Sequence, residues 1–447
     1  MSWPGEAAGS TAEGGGTNPS PGGSDHPMLA STVAAPNLIR RNVWRASVRA
    51  EPFRLLFPLG VGFGLTGAGH WLLFGLGLTG HYSGVVHASL QIQGFLASFT
   101  LGFLLTALPK FNVGPPVSPA EAAGILGGAG LVAVGCLGER WTAIEVGSLV
   151  QLLTVGLFAW RRYWGRATTQ PPVLVMLTVG WLHAVAGAAA LLWIRLGGPP
   201  GLELFGRRLL WQGAMVAVVI GMGGHLIPRL LGYPEGVVPK HPARRGWRGV
   251  AATFRGEALA WWGTGLLLFA GFVIEAVGHE RTGRLLRAVV VTIALLAAGR
   301  FWRLPRVLAP FAWGVWGSVW AVIGGSWAAA LTHPYHVAAL HLVFIGGFSL
   351  MVLMVGARVT LSHGGYMALE ARNRPIRWVG GGVVAALVLR LAVDATPEHY
   401  FQVAAAAASV WIAAGLLWLV YHLPKMVYRE FAVVAPMRSF RVVPPKG

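Results

Sequence analysis

Twelve runs of about twenty mostly apolar residues, joined by short polar or basic links, dominate this sequence and leave it little choice of fold. They fall near 54–78, 84–108, 119–138, 141–160, 171–196 and 207–231, then near 256–277, 284–304, 310–331, 335–360, 377–396 and 400–423. A run of that length crosses the hydrocarbon core of a bilayer as one helix. In lipid, only helices and closed barrels satisfy all their own backbone polar groups. The expectation is an all-α polytopic membrane protein of about 12 transmembrane helices. Composition agrees: of 447 residues only 11% are charged, less than half of what a water-exposed surface of this size carries.

The links orient the spans. With a cytoplasmic N-terminus, 27 of the 35 Lys and Arg fall on the cytoplasmic side and 8 on the other, as the positive-inside rule requires. Both termini are then cytoplasmic, in the cell inner membrane. The net charge of +19 is explained without a nucleic-acid partner. Residues 1–36 are rich in Gly, Ser and Pro and lack the apolar core of a signal peptide, so they read as a disordered tail. Residues 37–425 form the membrane domain, and 426–447 a basic cytoplasmic tail.

"GFLLTALPKF" (102–111), "GGHLIPRLLGY" (223–233) and "GARVTLSHGGY" (356–366) each close an even-numbered run on the same side. They point to three four-helix repeats with runs 2, 6 and 10 equivalent.

Ionisable groups inside a bilayer are costly and mark candidate sites. At 1.5 Å of helical rise per residue, His87 lies roughly 8 Å, His341 roughly 10 Å and His70 roughly 12 Å below the outer face. His336 and His333 sit at the rim. His183 falls mid-membrane, His225 in the inner third of run 6, and His363 at the cytoplasmic end of run 10. A lone membrane histidine commonly does no more than hydrogen-bond a neighbouring helix. Two at equal depth on two helices suit ligation: paired neutral imidazoles clamp a haem iron, and imidazole also suits copper. Gln91, four residues after His87, either orders its imidazole or bonds helix to helix.

The single cysteine, Cys136, excludes an internal disulfide, a multi-cysteine metal site and the Cys-x-x-Cys-His attachment of a c-type haem. A zinc hydrolase would need a carboxylate base, and only Glu145 and Glu257 stand out within runs. A transporter of a small solute or metal, built on the same repeats, is the alternative reading; it would bring broken midplane helices with carboxylates. A structural or assembly protein without a cofactor is the third.

"EPFRLLFPLG", "GFLLTALP", "GMGGHLIPRL" and above all "ALHLVFIGGFSLMVLMVGARVTLSHGG" resemble the NnrS family over roughly residues 50–425. That resemblance implies a twelve-span protein associated with haem and copper and linked to nitric oxide and denitrification. It places the family's span-10 histidine, arginine and following histidine on His341, Arg358 and His363. The sequence departs from the family at Ser89 and Leu90, where a His and a Glu are common, and at His225, where arginine is usual. A looser resemblance in topology links His87 and His341 to the low-spin haem ligands of haem–copper oxidases and nitric-oxide reductases, whose paired catalytic histidines are missing here. The expected cofactors are therefore a non-covalent, b-type haem on His87 and His341, and copper. Candidate metal positions besides that pair are His70, His336, His225 and His363. The expected partners are the lipid bilayer and nitric oxide or a related small molecule.

Overall fold

The computed structural model describes residues 38–233, 242–370 and 373–432. The tail at 1–36 and most of the 426–447 tail lie outside the described residues. Twelve helices in the described part are long and apolar enough to cross a membrane. They are span 1 (Phe53–Gly75), span 2 (Gly84–Asn112), span 3 (Pro119–Leu137), span 4 (Trp141–Trp164), span 5 (Pro172–Arg195) and span 6 (Pro200–Leu230). The second half has span 7 (Glu257–Ala276), span 8 (Glu280–Gly299), span 9 (Pro310–Leu331), span 10 (His336–Gly364), span 11 (Arg374–Ala395) and span 12 (Pro397–Val427).

Charge folded inward moves a helix limit away from its apolar run. Span 8 begins four residues before its run, because Glu280 and Arg284 pair across its first turn. It stops at Gly299, where Arg300 takes a left-handed φ of 51°. Local chemistry sets other ends. Span 3 opens on a capping box in which the Ser118 hydroxyl accepts from the Glu121 N–H and the Glu121 carboxylate accepts from the Ser118 N–H, with Pro119 at the first helical position. The same carboxylate receives both amino groups of Arg162 from span 4, at 2.9 and 3.0 Å.

Residues 39–431 form one compact unit. Spans 3 and 4, 7 and 8, and 11 and 12 pair as antiparallel hairpins, while span 4 packs on span 5, span 8 on span 9, and span 12 on span 1. The packing closes a ring of three four-helix groups. Spans 2, 6 and 10 line an apolar cavity of about 690 Å³, counting its open side, among Phe99, Phe103, Met215, Met222, Phe348 and Met351.

The repeat has a backbone signature. Spans 2, 6 and 10 each contain a π-helical segment, at Leu90–Leu96, Leu209–Gly213 and Leu342–Ser349. Each carries a glycine seated against the preceding span: Gly94 on Phe63, Gly213 on His183, and Gly347 on Val322. Such widened turns re-aim the side chains beside them and gather at functional sites.

Candidate functional site

Histidines stand just ahead of two of those π segments and are the candidates. His87 lies three residues before the segment of span 2 and His341 one residue before that of span 10. The equivalent position in span 6, immediately before Leu209, is Arg208.

His87 and His341 share a bonding pattern. The His87 Nδ1 is 2.9 Å from the Gly67 carbonyl of span 1, and the His341 Nδ1 is 2.8 Å from the Val337 carbonyl one turn earlier. A carbonyl only accepts, so each Nδ1 carries the proton and each Nε2 presents a lone pair. Neither Nε2 has a protein partner among the described residues. Gly67 makes the first contact possible: a Cβ there would stand 3.0 Å from Leu90 and Gln91 of span 2. The two imidazoles are close enough to interact electrostatically, and both have Arg390 of span 11 as a charged neighbour. Trp71 stands edge-on to His87 at 5.9 Å. Arg390 lies 3.8 Å from Asp394, and its buried Nη1 has no hydrogen-bond partner.

Gln91 bonds helix to helix, donating to the Gly64 carbonyl at 2.9 Å. It does not reach the imidazole.

The other histidines are placed differently. The His70 Nε2 accepts from the Ser83 backbone N–H at 2.6 Å, which uses its lone pair. His336 has two arginines, Arg284 and Arg208, and two glutamates, Glu275 and Glu280, as charged neighbours. His225 is buried edge-on to Phe111, with an unpartnered Nδ1. His363 lies 2.9 Å from the Glu51 carboxylate and against Lys110. These four are scattered, and among the described residues no three His, Cys, Asp or Glu side chains gather into a metal cage.

The cluster at Glu51 joins four spans. Arg54 is fully buried; it bonds Glu51 at 2.7 Å, the His363 carbonyl at 3.3 Å, and the Met426 carbonyl. Burial disfavours the Glu51 anion, but the His363 bond and the Arg54 charge outweigh it and hold its pKa at about 2. Arg358 pairs through Nε with Glu370 at 2.9 Å. Burial raises the Glu370 carboxyl above its usual range, and the Arg358 charge offsets part of that.

Three residues carry more than their sequence positions suggest. His422, at the edge of its apolar run, lies within span 12, which continues through Pro424 to Val427, and is fully buried, with Nδ1 on the Trp418 carbonyl at 2.8 Å and Nε2 unpartnered. Glu275, rather than the exposed Glu257, is the carboxylate buried among spans 6, 7 and 8. Arg390 reads in the sequence only as an outer-side charge. Its spacing from Asp394, one helical turn on, is the signal that could have marked it. Glu145 is buried as its position suggests, with Oε2 unpartnered.

The chain matches the family model described as NnrS protein over residues 47–429. No curated protein matches it.

Proposed function

The chain belongs to the NnrS family, and on that premise we propose that it is a haem-binding protein of the inner membrane that handles nitric oxide or protects the cell from it. In this reading His87 and His341 would hold the haem iron, one imidazole each. The observation that carries it is their common preparation: each Nδ1–H is anchored on a carbonyl while each Nε2 is left free. Anchoring holds the tautomer and ring orientation and raises the basicity of the ligating nitrogen. A bis-imidazole site also needs no third ligand, so the scatter of the remaining histidines is no obstacle to it.

When bound, haem iron would supply electron transfer or small-gas chemistry. The chain's residues do the rest. Gly67 and Val337 hold the two imidazoles. Trp71 provides an apolar wall beside His87. Arg390 offers a guanidinium with an unused donor to the carboxylates that such a macrocycle carries. Copper is assigned no residues in this reading.

The visible absorption spectrum of purified protein tests this. Wild type should show a low-spin haem, and His87→Ala and His341→Ala should each lose it or turn high-spin. His70→Ala and His336→Ala should keep it. A normal low-spin spectrum in His87→Ala sinks the pair.

A further inference from the structure

Of the eight basic residues on the face opposite the chain ends, three converge on one carboxylate. Glu275 of span 7 is 3% exposed. Its Oε1 is 2.7 Å from the Arg284 Nε and 3.2 Å from the Arg208 Nη2, and its Oε2 is 2.5 Å from the Arg287 Nη1. Arg284 has a second partner, Glu280, which stands half-exposed at the rim. Three guanidinium groups therefore meet two carboxylates, one of them only at the edge. One positive charge is left over within the membrane-spanning part of the protein. Uncompensated charge there is costly, and chains keep it where it has a counter-ion to bind.

The cluster borders a cavity between spans 6 to 10, lined on its polar side by Gln212, Glu275, Arg284, Arg287, Ser326 and His336. The space holds only about four water molecules. Arg287 gives one amino group to Glu275 and the Gly271 carbonyl, and its guanidinium lies 4.2 Å over the Phe272 ring. Arg208 gives one amino group to Glu275. The remaining donors of both have no other acceptor among the described residues.

We propose that this cavity is a binding site for a small monovalent oxyanion or carboxylate. Arg287, which lines the cavity, supplies the donors, Gln212, Ser326 and His336 the neutral lining, and Glu275 stands beside it as a competing acceptor, with Arg208 behind it adding positive charge. The balance of charge selects a single negative charge, and the size of the cavity excludes a bulky anion. Planar guanidinium donors suit a two-oxygen group. The proposal does not depend on haem at His87 and His341, since it involves neither residue.

The test is a calorimetric titration of the purified full-length protein in detergent, in gluconate buffer of constant ionic strength. Nitrite and formate are the probes. Wild type should take up both saturably, with one site per chain. Arg287→Gln removes one charge-assisted hydrogen bond to the anion and should weaken the uptake about tenfold or more. Glu275→Gln removes the carboxylate that competes with the anion for Arg287 and should tighten the uptake. A cluster that is only structural predicts no saturable uptake by wild type, and that result overturns the proposal even if both variants fail to fold. Uptake by wild type that survives unchanged in a folded Arg287→Gln also overturns it, because the anion then sits elsewhere.

Discussion

The His363 imidazole and the Glu51 carboxylate meet at 2.9 Å, although 312 residues separate them in the chain. The contact joins the end of span 10 to the approach of span 1, and Arg54 extends it to span 12. It has a pH signature. The Glu51 carboxyl is held at about 2 against an ordinary 4.5, so its folded pKa is depressed. The contribution is fully present above about pH 4.5 and is lost as pH falls towards 2. After allowance for solvent screening it is on the order of 2 kcal/mol. Wild type should exceed Glu51→Gln in thermal midpoint at pH 6, and the gap should narrow between pH 4.5 and 3. A gap that stays constant through that window counts against the ion pair.

Arg358 holds a carboxylate rather than reaching idly for the membrane surface. Its Nε donates to Glu370, and a lysine has no group in that position. Both Arg358→Lys and Glu370→Gln should destabilise, and a double-mutant cycle should give a coupling of about 0.5–1 kcal/mol, as for partly exposed pairs. Additive effects would remove any specific role for the arginine.

Gly67 should control His87 without touching it chemically. In Gly67→Val the new side chain meets Leu90 and Gln91, which forces spans 1 and 2 apart and withdraws the carbonyl from the His87 Nδ1. Overpacking of this kind costs about 1–3 kcal/mol. In the haem reading, the folded variant should also bind less haem or show an altered low-spin band. An unchanged spectrum would separate Gly67 from the site.

The bidentate Arg162–Glu121 pair is nearly inaccessible on both sides, at 2% and 4% side-chain exposure. Removing one partner strands a buried charge, so Glu121→Ala should cost about 3–5 kcal/mol. Arg161, exposed and 3.4 Å away, should matter far less: Arg161→Ala should change the midpoint only slightly in the same melting experiment.

Twelve spans place both chain ends on one side, and the basic residues say which side that is. A reporter fused after Pro375 should be active only in the cytoplasm, and one after Glu280 only on the opposite side of the membrane. The reverse pattern would invert the whole assignment and move the histidine pair to the inner face.

Twelve spans, their approximate limits and their three-fold grouping were legible in the sequence for a definite reason. Burial in lipid acts residue by residue along each run, so it leaves a local and additive record. The placement of His87 and His341 near the starts of spans 2 and 10 was equally readable, because both fall early in their apolar runs. What no run records is lateral neighbourhood. Whether His87 faces the Gly67 carbonyl, whether Glu275 gathers Arg208, Arg284 and Arg287, or whether Glu51 meets His363 depends on how the ring of helices closes and how each is rotated within it. Those contacts join residues from nine to 312 positions apart, and hydropathy assigns the same value to a charge facing a partner and to one facing lipid. The π segments of spans 2, 6 and 10 belong to the same class, since seating Gly94, Gly213 and Gly347 on neighbouring spans depends on packing, not on the local sequence. Composition and periodicity placed the helices in the bilayer; tertiary packing alone chose which of their few polar groups face one another.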